Sequence, residues 1–542
     1  MKYQSDSKFI YLSNTPFNRK QELKEELGGT WFDSKGRGKG WRYPRTLGAY
    51  RELWKAFPSL QNDPKFIADG KEVREYVDMM KEVKNMPAVD NGLGLRTYQE
   101  QDRNFLSYRG SSLVLNEPRT GKTPTMISVM NALGTRINLI VCPSSLVLNW
   151  ATEFEKWYPS CEVYPVIGTP KQRDDIYTRF AANVMKTRVL IISKDTWKRD
   201  LQTKWKDYSF ETAIVDEAHF LRNWKTTQSK AIFAINAKFK YALTGTPAVT
   251  HGSDVYGLLH FIDPEAFPSY WQFTDRYWHI HDNRFGKDIG NEKSNRKEEL
   301  RLLMDMLSVQ RKRKEVMQWL PAATKQTIPV IMGKKQNKYY EDMFENFFVE
   351  DPEDEHGVDT MNKLSQMMRL RQICLDPRLL GFKEVGAKTT ALLEFAESMN
   401  DPFVVMTMFS SYFKLVVDDL RKLGKRVEII DGSVTKTTRN NIVKAFQNGK
   451  IDILLCNIIA AGTGLTLDRA DTILFLDKSF SPADNEQAQD RIVPTTKERY
   501  HPINIISLVC ADTVDERIND ILDRKEDLTK IINKPELWEV LV

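Results

Sequence analysis

The residues whose types and spacing most plainly suggest chemistry are Asn116, Glu117, Pro118, Arg119, Thr120, Gly121, Lys122 and Thr123, read in one run as "NEPRTGKT". The apolar stretch "SLVL" precedes them, and a helical pattern follows with Pro124 in its first turn, where a missing N–H costs little. Strand, loop and helix in that order make a phosphate cradle. Backbone N–H groups and the helix dipole face the phosphate oxygens, Lys122 brings a point charge, and the Thr123 hydroxyl can ligate Mg²⁺. Asn116 stands where such loops usually begin with glycine. Farther on, "AIVDEAHFLRN" delivers Asp216 and Glu217 to the carboxyl end of an apolar strand, the edge of an open α/β sheet where ligands bind. One carboxylate can hold Mg²⁺ while the other orients water, with His219 as a coupling residue. The plainer alternative makes both carboxylates caps of the next helix.

A second cluster lies at the amino terminus. Residues 1–58 carry twelve Lys or Arg against six acids, so the whole net charge of +6 arises there. Within it, "GGTWFDSKGRGKGWRYPR" interleaves Trp31, Phe32, Trp41 and Tyr43 with Lys35, Arg37, Lys39, Arg42 and Arg45. Cations attract phosphate and flat rings stack on bases, so the segment reads as a nucleic-acid contact module. The competing reading is a small hairpin whose aromatics form its own core and whose cations are solvated.

These groups need elements to position them. The chain has 542 residues, 41% hydrophobic and 28% charged, enough for several domains with sizeable cores. Its apolar runs fall far short of a membrane span of roughly 20 residues. The start of the chain lacks a secretory signal's apolar region. The five cysteines (Cys142, Cys161, Cys374, Cys456 and Cys510) show neither paired nor zinc-ligand spacing, which favours a reducing, cytosol-like compartment without structural zinc. Short β-rich runs alternate with helical patterns over residues 95–262 and again over 386–525, the signature of parallel sheets covered by helices. The remaining divisions are a small basic domain (1–62), a linker helix and loop (63–94), a Met-, Arg- and Lys-rich helical insertion with few strand signals (263–385) and a tail (526–542). The fold class expected is α/β, two parallel-sheet lobes with helical insertions and a small α+β amino-terminal domain.

Over residues 95–525 the chain resembles the Swi/Snf-type DNA translocases of helicase superfamily 2, whose lobes are RecA-like. The resemblance rests on "LRTYQ", "LIVCPSSLVLNW", "VLIISKDTW", the DEAH run Asp216 to His219, "LTGTPAVTHGSDVYGLLHFIDPEAFPSYWQFTDRY", "QRKRKEVMQWLP", "MMRLRQICLDPRLL", "VVMTMFSSYF", "LLCNIIAAGTGLTLDRADTILFLD" and "NEQAQDRI", in the family's order. It implies ATP and Mg²⁺ (on Thr123 and Asp216) as cofactors, with Gln99 reading adenine and Gly464 near the nucleotide. Thr244, Gly245, Thr246, Gln487 and Asp490 would couple nucleotide to DNA, while Ser144, Ser193, Lys194, Ser410, Gly462 and Thr463 would face DNA. Arg491 would act on the transferring phosphoryl group. The amino-terminal "TWFDSKGRGKGWRYP" resembles the HepA-related module of annealing helicases. That likeness implies forked or branched DNA as partner and adds Trp31, Lys35, Arg37, Lys39, Trp41 and Arg42 as DNA contacts.

Activity is thus expected to be a DNA-dependent ATPase that remodels branched DNA in replication, recombination or repair, in a bacterial or phage-infected cytosol. An annealing scaffold with weak ATPase, an RNA translocase and a chromatin remodeller are the alternatives. Two departures bear on this. Arg119 replaces a usual glycine, and Pro494 replaces a second arginine after Arg491, with Lys497 or Arg499 as substitutes. A cation on the transferring phosphoryl group is worth about 10³ to 10⁵ in rate. Arg491→Ala should therefore lower DNA-stimulated phosphate release by at least roughly 10²-fold; unchanged turnover would remove Arg491 from the assignment.

Overall fold

The computed structural model describes residues 1–15, 17–34, 37–90, 92–204, 208–245, 252–283, 286–320, 323–351, 356–360, 362–461, 465–494, 501–524 and 528. Two compact units divide between Val316 and Met317.

In the first unit, seven strands form one parallel sheet: Ser308–Val309, Ser112–Val114, Asn236–Leu243, Ser209–Val215, Ile137–Cys142, Arg188–Ser193 and Glu162–Pro165, in that spatial order. Side chains alternate across a strand, and here both faces are covered. Leu139, Val141, Leu190, Ile192, Ala213 and Val215 enter one core while Ile140, Cys142, Val189, Ile191 and Ile214 enter the other. That is why these strands read as unbroken apolar runs. The second unit repeats the plan with six parallel strands, Thr324–Val330, Asn504–Cys510, Thr472–Phe475, Phe403–Thr407, Ile453–Asn457 and Val427–Ile430. Val405 and Leu455 pack on one face of it, Val404 and Leu454 on the other.

The segment expected as one helical insertion proves different. Helices Tyr270–Tyr277, Lys297–Leu307, Lys334–Asn346 and Lys363–Leu375 are present, but so are strands Trp278–Asn283, Gly286–Glu292, Ser308–Val309, Thr324–Val330, Phe348–Asp351 and His356–Asp359. Its first part belongs to the first unit and its remainder to the second. Thr324–Val330 is an edge strand with six of its seven residues exposed, so it leaves no apolar run, and Pro329 is tolerated there because an edge can spare an N–H.

At the amino terminus, strands Lys2–Ser5, Phe9–Ser13, Gly38–Pro44 and Thr30–Ser34 form an antiparallel sheet in that order. Gly40 sits between Ser13 and Phe32, and a Cβ there would meet the Leu12 carbonyl at 2.1 Å, so only glycine permits this pairing. Helix Pro64–Lys84 then joins two cores. Asp63 caps it by accepting from the N–H groups of Lys65 and Phe66 at 2.9 and 3.1 Å. Phe66 and Val73 pack with the small sheet, Met80 and Val83 with the parallel one.

Buried charge fastens the segments flanking the small sheet, at residues 26–27 and 46–52, to the segment beyond residue 263. Arg276 donates to Glu299 through Nε and Nη2 at 2.9 and 2.8 Å and to the Leu27 carbonyl at 3.1 Å. Arg296 donates to the Glu26 carbonyl at 2.7 Å and pairs with Glu52, while Thr46 and Tyr277 donate to Glu299 at 2.8 and 3.1 Å. Burial is the largest single influence and lifts the Glu299 carboxyl, but the Arg276 charge and hydrogen bonds, the Arg296 charge and the Thr46 hydroxyl together outweigh it and hold the group below its ordinary 4.5. A folded value below the unfolded one gives stability that is complete above about pH 4.5 and lost as pH falls through the folded value. Glu299→Gln should cost about 3 kcal/mol at neutral pH because it strands two buried guanidinium groups. In urea unfolding, the gap to the parent protein should narrow below about pH 4.5.

Candidate nucleotide site

Parallel pairing brings the carboxyl ends of three neighbouring strands, Ser112–Val114, Asn236–Leu243 and Ser209–Val215, to one edge. The loop after the first strand leads into helix Lys122–Leu133, whose cap residue Gly121 has φ +80 and makes no side-chain cap bond. A Cβ on Gly121 would lie 2.1 Å from Gln99 Nε2. Gly121 thus begins the helix without a side-chain cap on its first turn, the kind of helix start at which an anion can be held. Lys122 Nζ donates to the Asn116 carbonyl at 3.0 Å, across the mouth of the loop. A Cβ on Gly245 would stand 2.9 Å from Pro118 and 3.3 Å from Lys122 Nζ, so the end of the middle strand lies directly against the loop. Thr244 donates its N–H to the Val114 carbonyl at 3.0 Å.

Asp216 accepts from Trp150 Nε1 and from the Glu217 N–H, both at 2.9 Å. Burial, with the Glu217 charge beside it, pushes the Asp216 carboxyl up to about 6, and Lys122 acts in the opposite sense. Glu217 has φ +48, a left-handed conformation that costs an ordinary residue roughly 1–2 kcal/mol. It stands at the cap position of the single turn Ala218–Arg222 without a side-chain cap bond; its Oε2 lies 3.4 Å from His219 Nδ1. The helix-cap alternative for Glu217 is therefore not what the structure shows. Arg119 is also left-handed, at φ +68, so the position where the family's loop carries glycine keeps glycine's backbone conformation.

Gln99 buttresses this loop. Its Oε1 accepts from Arg96 N at 2.8 Å and its Nε2 donates to the Thr120 carbonyl at 3.0 Å, which also accepts from Tyr98 Oη at 2.8 Å. Both ends of the amide are thus bonded to backbone groups. A support that the sequence reading missed lies behind the loop. Asp102, fully buried on helix Thr97–Arg109, accepts from Arg311 Nε at 2.9 Å and from Asn116 Nδ2 at 2.8 Å. The backbone of 308–313 extends the sheet edge along the loop, with Leu115 N to Val309 O at 2.8 Å and Glu117 N to Arg311 O at 3.0 Å. Arg313 N donates to Glu117 Oε2 at 2.8 Å. "QRKRKEV" thus acts as a strut for the cradle.

The other expected residues distribute as follows. Ser144 begins a short turn after strand Ile137–Cys142. Ser193 is buried and turned inward, its Oγ accepting from the Thr196 N–H at 3.2 Å, so it caps the helix that Lys194 begins rather than facing DNA. Lys194 Nζ sits 4.9 Å over the Phe220 ring. In the second unit, Ser410 Oγ accepts from Asn457 Nδ2 at 3.1 Å. Gln487 lies on helix Pro482–Gln489 and Asp490, buried, in the turn after it. Arg491 donates to the Gln487 and Leu465 carbonyls at 3.0 and 3.3 Å. Thr246, Gly462, Thr463, Gly464, Lys35, Lys497 and Arg499 lie outside the described residues.

The aromatic cluster needs correction. Trp41 and Tyr43 are only 3% and 1% exposed and belong to the small sheet's core, so they offer no face to a base. Phe32 packs edge-on against Tyr11, and Trp31 alone of the four, 54% exposed, stands out, edge-on to Trp41 at 5.4 Å. Arg37 pairs with Asp6 at 2.9 Å over the Tyr11 ring, Arg42 donates to Gln272 at 2.8 Å over the Phe9 ring, and Lys39 pairs with Asp33 at 2.9 Å. The hairpin-core reading holds for the inner rings.

A parallel sheet with a Gly-Lys-Thr loop and an acidic pair at its carboxyl edge defines a phosphate-loop nucleotide-binding lobe. The SNF2-related domain matches residues 74–379, more than half of the chain, and the helicase conserved C-terminal domain matches residues 387–493. The chain belongs to the SNF2-related family. An uncharacterized ATP-dependent helicase of Mycoplasma pneumoniae is 25% identical over 80% of this chain and 42% of its own length. The putative ATP-dependent helicase/translocase YwqA of Bacillus subtilis is 25% identical over 86% and 52%, and the DNA annealing helicase and endonuclease ZRANB3 of Bos taurus 26% over 78% and 38%. The chain thus spans about half or less of these curated relatives. The Sulfolobus solfataricus SWI2/SNF2 ATPase core in complex with dsDNA superposes at a TM-score of 0.39, 21% identical over 84% of this chain and 95% of that one, too loosely to carry an argument.

Arg311→Ala should leave Asp102 buried without its cation and lower stability by about 3 kcal/mol in urea unfolding, most of which the double change with Asp102→Asn should restore.

Proposed function

We propose that the chain is an ATP-driven DNA translocase whose first lobe hydrolyses ATP on a Mg²⁺-dependent site and whose target is forked or branched DNA. The observation that carries the reading is the convergence of Lys122, Gly245 and Asp216 at the ends of three adjacent parallel strands. Membership of the SNF2-related family supports it, as does the likeness to the ATP-dependent helicases of Mycoplasma pneumoniae and Bacillus subtilis. Helix Lys122–Leu133 presents its first N–H groups and Lys122 to the phosphates, and Gly245 allows the strand end to sit against them. Glu217 orients the attacking water and accepts its proton. Thr123 and Asp216 are the residues that would hold Mg²⁺, which neutralises charge on the outer phosphates when bound. The partial pairing of Asp216 with Trp150 fixes its carboxylate for that task.

The pathway (replication, recombination or repair) and a cytosolic setting belong to the same proposal. Pro494, buried where a second arginine is expected, favours one further reading, a DNA-annealing scaffold with little turnover. One assay decides between them: phosphate release with no DNA, linear duplex, forks and four-way junctions. Stimulation by DNA, strongest with branched forms, is expected. Glu217→Gln should lower it by about 10² to 10⁴-fold, the range for loss of a general base, with nucleotide binding kept. Release indifferent to DNA would select the scaffold.

A further inference from the structure

The cations expected to meet DNA on the small sheet are engaged with neighbours, yet an open groove of about 1370 Å³ runs beside them, between that sheet and the segment after residue 263. One wall carries Trp31, Lys20, Lys24 and Lys39; the other carries Trp271 and Lys293. The Arg42 to Gln272 bond at 2.8 Å ties the walls together one residue from each tryptophan's position, since Arg42 pairs across the sheet with Thr30 and Gln272 follows Trp271. The groove is therefore built from two parts of the chain held in fixed relation.

Both indoles are open to solvent, Trp31 at 54% and Trp271 at 38%. Four lysines line the groove against two acids, Glu26 and Asp275. Lys20 and Lys24 are exposed. Lys39 holds Asp33 in a surface pair, which is worth little and yields readily to a phosphate. Lys293 donates to the Asp275 carbonyl at 2.5 Å, which anchors its charge at the groove wall. The volume exceeds the roughly 300–1,000 Å³ of a small-molecule pocket, so the groove suits a polymer. Cations that track a backbone, with indole faces spaced among them, are the means by which proteins hold single strands. A duplex keeps its base faces stacked inside and offers an exposed indole nothing.

We infer that this groove binds a single-stranded polynucleotide, bases stacking on Trp31 and Trp271 and phosphates meeting Lys20, Lys24, Lys39 and Lys293. The inference rests on the translocase reading and adds to it a place for the unpaired arm of a fork. An acidic protein segment would satisfy the lysines but leave two exposed indoles without a purpose.

The test uses the full chain and labelled oligothymidylate of about 16 nucleotides, within the span of known single-strand grooves, read by anisotropy without nucleotide. Trp31→Ala and Trp271→Ala should each weaken binding by roughly 5- to 150-fold, the range for loss of one stacked base, with duplex affinity within about twofold. Lys24→Ala, on an exposed position that cannot disturb the core, should lower the logarithmic salt slope by about 0.7. It keeps the test open should Trp31→Ala unfold through its contact with Trp41. Oligouridylate in parallel tells which sugar the groove accepts; loss in the tryptophan variants with either strand supports the site. Unchanged affinity for both strands in both tryptophan variants overturns it, as does equal loss of duplex binding, or displacement of the strand by polyglutamate with no effect of either substitution. Phosphate release across linear duplex, forks and four-way junctions reports the translocase reading separately: no stimulation by any of them in the parent protein would sink that reading, whereas stimulation alongside unaltered strand binding in the tryptophan variants would sink the groove alone.

Discussion

Parallel pairing points every strand of a sheet the same way, so each strand's carboxyl end arrives at a common edge whatever its place in the sequence. The site depends on this constraint. Lys122, Asp216 and Gly245 are far apart in sequence and come together because the strands that lead to them are neighbours in one sheet. Loop chemistry then adds the detail: left-handed backbone at Arg119, Gly121 and Glu217 bends the chain back over the edge. The conformational cost at the two non-glycine positions is sustained by the cores on either face of the sheet.

Buried charge is used twice for positioning in the first unit. Asp102 fixes the back of the phosphate loop through Arg311 and Asn116, and Glu299 fixes the segments flanking the small sheet through Arg276 and Arg296. Each carboxylate is surrounded by directional donors, and a pair of this kind specifies an arrangement more than it adds stability. The second unit does likewise, with Arg371 donating to Asp477 at 2.9 Å and Lys388 to Asp515 at 2.6 Å in the interior. The segments "MMRLRQICLDPRLL" and "QRKRKEV" are thus chiefly struts.

The two-lobe plan was legible because strands covered on both faces write themselves as apolar runs, and Gly121-Lys122-Thr123 and Asp216-Glu217 were legible because their chemistry is local. What escaped was non-local or poorly marked. Thr324–Val330 and Phe348–Asp351 lie at edges or in small hairpins and carry no run. Trp41 and Trp31 face each other across two strands with opposite exposure, and composition cannot say which ring lies inward. Ser193 has the right neighbourhood, but its hydroxyl serves the following helix. Asp102 gives no hint of its role because its cation comes from Arg311, 209 residues away. The one clue was a further acid three residues beyond Gln99, on the helix whose buried side also carries Tyr98, Phe105 and Leu106.

Helix Pro64–Lys84 joins the small sheet's core to that of the large one without a break across 21 residues. At about 1.5 Å per residue it is a rod of roughly 30 Å, and a rod, unlike a tether, transmits bending. The amino-terminal sheet is consequently not a line trailing from the parallel sheet. It is an outrigger whose reach is set by a stiff spar, so its strands sit at a constant offset from the phosphate cradle.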